Sequence, residues 1–241
     1  MNIVSYIRLW CAKINMQQKI SLLLILSANK SGSTLLDFSL NNHADIISGG
    51  EFVLTNKICN CQNKISECNF WKNIIDEHLV QNIKSEDEMH NYNLKVYRKM
   101  KEVHKPKFIL DNSKNINKAK KLINNQDLDV KIIFISRNPI NVAASNKRKF
   151  LNDGKNSRLP LKNIYYQLKI YIKIFLLRKN IISIIKYEDF VKDPLLKINK
   201  IFSKLDLKPI TNIILKDKNF HNLGGDSSFT KTALGIQLTD L

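Results

Sequence analysis

The sequence predicts a single α/β domain in three layers, a mainly parallel β-sheet flanked by helices on both faces. Short apolar, β-branched runs alternate along the chain with longer segments of helical periodicity. The runs are residues 20–28, "ADIISGG", "KFILD", "DVKIIFIS" and "NIISIIKY". Strands that alternate with helices favour parallel pairing, because each crossover helix covers the sheet. With 241 residues, 44% hydrophobic and 25% charged, the chain can form one such domain.

Turn and cap signals predict helices between these strands. Residues 33–42 have the pattern of a helix, and residues 70–104 have the pattern of two. A lysine-rich helix then extends to about Asn124. Pro139, at the end of "FISRNP", suits the first turn of a helix that reaches about Phe150.

Two more helices are predicted in the C-terminal half. Asp193 and Pro194 form an N-cap and N1 pair at the start of one of them. Its apolar face comprises Leu195, Ile198, Ile201 and Phe202. The other is predicted from the apolar stripe Leu161, Ile164, Leu168, Tyr171 and Phe175.

The charge balance is strongly basic, with 39 basic and 21 acidic residues and a net charge of +18. Such a charge suits polyanionic partners, but the lysines are spread along the chain, so composition bias explains most of it. No apolar run is long enough to span a membrane. "ISLLLILSA" lies too far from Met1 for a secretory signal. We expect a cytoplasmic or membrane-peripheral location.

Three of the four cysteines, Cys59, Cys61 and Cys68, lie in "CNCQNKISECNFW". They could bind zinc with Cys11 or His78 as the fourth ligand, but the spacing is not that of a standard finger or ribbon. The favoured interpretation is ordinary thiols in a surface loop, with no metal bound.

The most informative local pattern is "LSANKSGSTLLDF", an apolar strand, a small polar loop and a helix start. A helix N-terminus binds anions, Gly32 allows close approach of the backbone, and Lys30 adds a positive charge. Capping of the helix by Ser31 or Ser33 explains the pattern about equally well. A Walker A loop would need a lysine directly after a second glycine, so ATP or GTP hydrolysis is disfavoured.

Other polar groups also follow predicted strands. Ligands of parallel α/β sheets bind at the carboxyl ends of the strands. We therefore expect one sheet edge to carry four groups, Lys30–Thr34, Glu51, Asp111–Lys114 and Arg137.

Two motifs together resemble the sulfotransferases that use 3′-phosphoadenosine 5′-phosphosulfate (PAPS). "KSGST" is similar to their 5′-phosphosulfate loop, and "ISRNPINVAAS" to their 3′-phosphate site. The resemblance covers residues 20–230 and implies a P-loop-like fold. It implies that the cofactor-binding residues are Lys30, Ser31, Gly32, Ser33, Thr34, Arg137, Ser145, Gly224 and Gly225. The last two belong to "HNLGGD", which resembles a late loop that closes over the nucleotide.

The resemblance implies transfer of a sulfuryl group to an acceptor hydroxyl, of a glycan or another cell-surface molecule. Lys30 would stabilise the leaving phosphate, and Glu51 matches the catalytic base of the tyrosylprotein branch. Glu51 could instead cap a following helix. Lys114 could contact the transferred sulfate, or be a solvated lysine at a helix start. No metal is then required, and the basic composition favours an acidic glycan as acceptor.

The family pattern is not matched everywhere. Related bacterial proteins usually have a proline and an arginine where this chain has Asp226–Phe229. The chain also ends sooner after that loop than the family pattern predicts, as expected of a short member or a truncated reading frame. A non-catalytic nucleotide-binding relative and an atypical P-loop kinase therefore stay open as alternatives. A nucleic-acid-binding module is disfavoured, because most aromatic residues fall on apolar faces. We expect one domain over 1–241, with an N-terminal extension at 1–18 and the nucleotide-covering loop and tail at 220–241.

Overall fold

A computed structural model describes residues 19–52, 59–152, 160–215 and 220–224. Within these ranges the sheet consists of β1 (Ile20–Ser27), β2 (Ile46–Gly50), β3 (Phe108–Asp111), β4 (Leu128–Ser136) and β5 (Ile181–Lys186). The strand order is β2-β3-β1-β4-β5, and every neighbouring pair is parallel. The predicted parallel sheet is therefore confirmed.

Helices cover both faces of this sheet, as predicted. They are α1 (Ser33–Leu40), α2 (Glu77–Gln81), α3 (Glu86–His104), α4 (Ile116–Ile123), α5 (Pro139–Asn152), α6 (Pro160–Phe175), α7 (Tyr187–Lys192) and α8 (Pro194–Lys204). Apolar residues of α1 and α8 pack on one face, and those of α3, α4 and α6 on the other. Among the described residues, no helix has both the length and the hydropathy needed to cross a membrane.

The central strand β1 is apolar from Leu22 to Leu26 because both of its faces are covered. Leu22, Leu24 and Leu26 belong to the core under α3, α4 and α6. Leu23 and Ile25 belong to the core under α1 and α8. Alternate side chains of a strand point to opposite faces, so a strand buried on both sides loses the usual polar alternation.

One predicted helix face is correct. Asp193 accepts a hydrogen bond from the Leu196 N–H (3.1 Å) with Pro194 at the first helical turn. The buried face of α8 includes Ile198, Ile201 and Phe202.

The face predicted for α6 is correct only in part, because Tyr171 packs against the core, whereas the other members whose burial the structure describes, Leu168 and Phe175, do not. Ile170 and Ile174 are buried, whereas Leu168 and Phe175 are 53% and 62% exposed. Ile170 and Ile174 are also four positions apart, so helical spacing alone could not choose between these neighbouring stripes. Packing against the sheet buries Ile170 and Ile174 together with part of Tyr171, a member of the predicted stripe, whose ring centroid lies 5.5 Å from that of Phe134 in β4.

The strand register brings the loops that follow the strands to one edge. Ser27 of β1 is level with Ile135 of β4, and Ser136 with Lys186 of β5. On the other side, Gly50 of β2 pairs with Asp111 of β3. The four polar groups expected at one edge therefore lie at the carboxyl ends of the strands, which we call the carboxyl edge.

Candidate active site

The loop between β1 and α1 forms an uncapped helix start at the carboxyl edge. Gly32 is the N-cap residue of α1, with φ of 88° and no side-chain cap. The interpretation of Ser31 or Ser33 as a helix cap is therefore wrong. A Cβ on Gly32 would lie 2.2 Å from Cδ2 of Tyr187, so glycine alone fits both this left-handed backbone and this close contact.

The hydroxyl groups of this loop are buried. Ser31, Ser33 and Thr34 are 1%, 4% and 7% exposed. The Ser31 hydroxyl has no hydrogen-bond partner in the part of the chain that the structure describes. Because an unpaired buried hydroxyl costs free energy, this one suits a ligand oxygen at the helix N-terminus.

Arg137 lies directly after β4 and is fixed against the same loop. Its Nη1 donates to the Lys30 carbonyl oxygen (3.1 Å), and its guanidinium carbon lies 4.2 Å from the centre of the Tyr187 ring. Arg137 Nε is buried and unpartnered among the described residues. No ion pair within the described ranges involves Arg137.

Ser145 lies in the second turn of α5, the helix that follows Arg137, and is partly buried. No hydrogen bond joins the two residues in the described part of the chain. Their joint role at a 3′-phosphate stays a prediction. Tyr187 contacts both Gly32 and Arg137, and sequence reasoning did not select it.

Glu51 and Lys114 form an ion pair at the carboxyl edge, with side chains 27% and 17% exposed. Lys114 precedes α4, whose N-cap is Asn115, and it binds Glu51 instead of extending into solvent. The solvated-lysine interpretation is therefore wrong. Whether Glu51 also caps a helix depends on residues 53–58, which lie outside the described residues.

The late segment 220–224 lies along the end of β2. The Leu223 N–H donates to the Gly49 carbonyl oxygen (3.0 Å), and the Glu51 N–H donates to the Leu223 carbonyl oxygen (2.7 Å). A Cβ on Gly224 would lie 3.1 Å from the Glu51 Cβ. The described part of the predicted nucleotide loop therefore frames Glu51, and Gly225 lies outside the described residues.

A buried carboxyl group, missed by the sequence reasoning, joins α1 to β2 and this segment. Asp37 accepts hydrogen bonds from Ser48 Oγ (2.5 Å), Asn222 Nδ2 (3.0 Å) and Asn112 Nδ2 (3.4 Å). Burial raises the pKa of Asp37 to about 7, although these hydrogen bonds and the charge of Lys114 each lower it. A lone acid inside the apolar helix run "TLLDFSL" was the available signal.

A second buried network supports the loop after β3. Lys118 Nζ lies 2.7 Å from Asp111 Oδ2, and the Tyr97 hydroxyl donates to the same oxygen. The Ser113 N–H donates to the other oxygen of Asp111 (2.7 Å). Burial and the Asp111 charge raise the pKa of Tyr97 well above its usual value. These contacts fix the backbone that leads to Lys114.

The cysteines are not in the expected environment. Cys59 and Cys68 are buried, at 2% and 0% exposed, so the interpretation as surface-loop thiols is wrong. With Cys61 they converge on His221, and the four ligand atoms lie within 4.8 Å of one another. The fourth member is thus His221, not His78, and Cys11 lies outside the described residues.

An uncapped helix start beside a partly buried arginine, at the carboxyl edge of a parallel sheet, suits a phosphate-bearing ligand and agrees with a P-loop-like fold. The sequence profile of the sulfotransferase family matches residues 23–211 of the chain. The chain therefore belongs to the sulfotransferase family and is a PAPS-dependent sulfotransferase. Among curated protein sequences, no significant match was found.

Solved structures agree on the fold. The sulfotransferase domain from the curacin biosynthetic pathway has a TM-score of 0.56 at 19% identity, with 90% of this chain and 84% of that domain covered. The sulfotransferase domain of the Synechococcus PCC 7002 olefin synthase has a TM-score of 0.53 at 18% identity, with 92% of this chain and 82% of that domain covered. A sulfotransferase from Mycobacterium avium has a TM-score of 0.52 at 10% identity, with 87% of this chain and 69% of that protein covered.

Proposed function

We propose that this enzyme transfers the sulfuryl group of PAPS to a hydroxyl of an acidic glycan at a cell surface, with the carboxyl edge as its active site. The observation that carries the assignment of the site is the pair of unpartnered buried donors, Ser31 Oγ and Arg137 Nε, beside one helix N-terminus. Both are hydrogen-bond donors suited to phosphate oxygens, and Arg137 is fixed against the Lys30 backbone.

The loop residues would hold the 5′-phosphosulfate end of the nucleotide. Backbone N–H groups from Gly32 to Thr34 and the loop hydroxyls supply hydrogen bonds, and Lys30 supplies positive charge. Arg137 and Ser145 would hold the 3′-phosphate, with Gly224 and Gly225 in the late segment near the nucleotide. Tyr187 would keep the guanidinium plane in place through its stacked ring.

When bound, PAPS supplies the sulfuryl group and leaves as adenosine 3′,5′-bisphosphate. Glu51 would take the proton of the acceptor hydroxyl as its oxygen attacks sulfur. Lys30 would stabilise the charge on the departing phosphate. Because Lys114 pairs with Glu51, we propose that Lys114 positions Glu51. We also propose that it contacts the transferred sulfate. Lysine and helix dipole provide the electrostatic stabilisation, and we expect added magnesium to leave turnover unchanged.

The acceptor is proposed from charge. A net charge of +18 favours a polyanionic acceptor such as a sulfated or carboxylated glycan. A sulfated and a neutral glycan should be compared as acceptors at low and high salt. A preference for the sulfated glycan that becomes weaker at high salt would support the proposal. Equal use of both would remove the acidic acceptor while leaving the sulfuryl transfer intact.

The domain limits and the location are part of this proposal. We propose one domain over 1–241, with residues 1–18 as an extension and 220–241 as the nucleotide-covering loop and tail. Cell fractionation tests the cytoplasmic or membrane-peripheral location.

Calorimetric titration with adenosine 3′,5′-bisphosphate, beside ATP with magnesium, tests the nucleotide site. The wild type should bind the bisphosphate at micromolar affinity or better, about −8 kcal/mol. Arg137→Ala should weaken binding by about 1.5–3 kcal/mol, because a charged hydrogen-bond donor is lost. Arg137→Lys should rescue little, because lysine lacks the planar group that stacks on Tyr187.

A preference for ATP with magnesium would contradict the assignment and favour an atypical kinase. Tight bisphosphate binding without turnover on any acceptor would indicate a non-catalytic relative. Arg178→Ala is the matched control, since Arg178 also lies over an aromatic ring, that of Phe175, but in the segment before β5. Its affinity for the bisphosphate should equal that of the wild type.

A further inference from the structure

Three thiols and one imidazole converge outside the carboxyl-edge residues assigned above. Cys59 Sγ and Cys68 Sγ lie 3.6 and 3.3 Å from His221 Nδ1, and Cys61 Sγ lies 3.6 Å from Cys68 Sγ. In tetrahedral zinc coordination, the ligand bond lengths imply about 3.8 Å between two sulfurs and about 3.5 Å between a sulfur and a nitrogen. Each of the three distances is within a few tenths of an ångström of this geometry.

The backbone around the cluster is shaped to point the sulfurs inward. The Cys59 N–H donates to the Asn63 carbonyl oxygen (2.9 Å), and the Gln62 N–H donates to the Cys59 carbonyl oxygen (2.9 Å). Gln62 has a positive φ of 74°, which closes this turn tightly. The N–H groups of Cys61 and Asn63 hydrogen-bond the sulfurs of Cys59 and Cys61, respectively. These hydrogen bonds help to fix the positions of the two sulfurs.

The imidazole is held from outside the cluster, as metal ligands usually are. The Trp71 indole N–H donates to the His221 carbonyl oxygen (2.5 Å). The Phe70 ring is stacked on the His221 ring, with centroids 5.1 Å apart and planes 8° apart. On its other side Phe70 stacks on His104, 4.2 Å away. These contacts fix the ring plane so that Nδ1 faces the sulfurs.

Thiols and imidazole together select the metal. Three cysteines and a histidine form a closed structural zinc set, whereas magnesium and calcium prefer oxygen ligands. A single disulfide could join only two of the three thiols. We propose that Cys59, Cys61, Cys68 and His221 bind one structural zinc ion.

The ion would fasten the late segment to the catalytic edge. The backbone of Cys59 also forms an isolated antiparallel β-bridge with Leu223. The Leu223 backbone in turn hydrogen-bonds Gly49 and Glu51. Zinc would therefore link residues 59–68 to the backbone that frames the proposed catalytic base. This is a structural role, distinct from the proposed sulfuryl-transfer chemistry.

The test is metal analysis of the full chain, produced in zinc-supplemented medium without a polyhistidine tag. Mass spectrometry should find one zinc ion per chain, and cobalt exchange should give the intense visible bands of a tetrahedral thiolate site. His221→Ala should lose most of the zinc. His221→Cys should retain it with a stronger thiolate-to-cobalt charge-transfer band, which shows that the position is a ligand even if His221→Ala folds poorly.

His78→Ala and Cys11→Ser are the matched controls and should keep one zinc ion and an unchanged cobalt spectrum. Folded wild-type protein with only trace zinc, or with a Cys61–Cys68 disulfide in its peptide map, would overturn the proposal. Full zinc and an unaltered cobalt spectrum in folded His221→Ala would also overturn it, by removing the histidine from the ligand set.

Discussion

The two sides of the carboxyl edge are built differently. On the Arg137 side, which comprises residues 30–34, Arg137 and Tyr187, each contact joins loops that follow the adjacent strands β1, β4 and β5. On the Glu51 side, which comprises Glu51, Lys114 and residues 222–224, the contacts span the chain. Asn222 contacts Ser48 across 174 positions of sequence. Both sides therefore exist only after tertiary folding, since the hydrogen bond from Arg137 to Lys30 also spans 107 positions, but only the first side contains the two phosphate-site motifs.

The strongest test of this division is Glu51→Gln. We expect turnover to fall by about 10²- to 10⁴-fold, the usual contribution of a general base. Affinity for adenosine 3′,5′-bisphosphate should stay unchanged, because Glu51 lies on the other side of the edge. Steady-state kinetics and calorimetry measure the two effects separately, and the acid limb of the pH–rate profile should disappear.

Glu102→Gln provides the control, because Glu102 also pairs with a lysine, Lys99, but on the exposed surface of α3. It should behave as the wild type. Weaker bisphosphate binding by Glu51→Gln would show that the two sides act as one unit. Full turnover with an unchanged pH profile would assign the base elsewhere.

Lys30→Ala tests the Arg137 side and should have the next largest effect. Loss of one preorganised group typically raises the barrier by about 2.7–4 kcal/mol. Turnover should therefore fall by about 10²- to 10³-fold, and bisphosphate affinity should fall with it. Lys200→Ala, at an exposed position of α8, is the control. Normal turnover by Lys30→Ala would contradict the mechanism.

The smallest effect is expected from Asp37→Asn, which concerns stability. Because the folded-state pKa of Asp37 is raised to about 7, the folded protein holds a proton that the unfolded chain releases above about pH 4. Wild-type stability should therefore lose a contribution of a few kcal/mol as the pH rises from about 4 to about 7. Asp37→Asn should lack this loss in urea unfolding measured at about pH 5 and about pH 8.

The comparison of the wild type with Asp37→Asn isolates the contribution of Asp37 to the pH dependence of stability. Burial lowers the pKa of His90 and of His104, and these groups add stability as the pH rises, with the opposite sign. Asp189→Asn, at an exposed position of α7, should follow the wild type. Identical pH dependence in wild type and Asp37→Asn would contradict the raised pKa.

The sequence supported accurate prediction where one strand, one turn and one helix act together. Short apolar runs predicted all five strands described, and the polar loop "KSGST" predicted the start of α1 but not that it has no side-chain cap. The Asp193–Pro194 pair placed the start of α8. These patterns are local, so a few neighbouring residues determine the backbone there.

Prediction failed where the partner of a residue lies far away in sequence. Nothing near Cys59 identifies His221 as its neighbour, because 162 positions separate them. The role of Tyr187 depends likewise on the packing of β5 beside β4, which no periodicity reveals. The buried face of α6 is a third case, since two stripes with the same spacing compete and only contact with the sheet selects one.

The Tyr187 ring acts as a spacer between Gly32 and Arg137, the two parts of the proposed nucleotide site. It fills the space beneath Gly32 and lies against the Arg137 guanidinium, which in turn holds the Lys30 carbonyl. A flat aromatic ring cannot be compressed, so the separation of loop and arginine has a nearly fixed value. If the proposed function is correct, a nucleotide whose two phosphate groups match that separation would satisfy both groups at once, and one with a single phosphate would leave a buried donor without a partner.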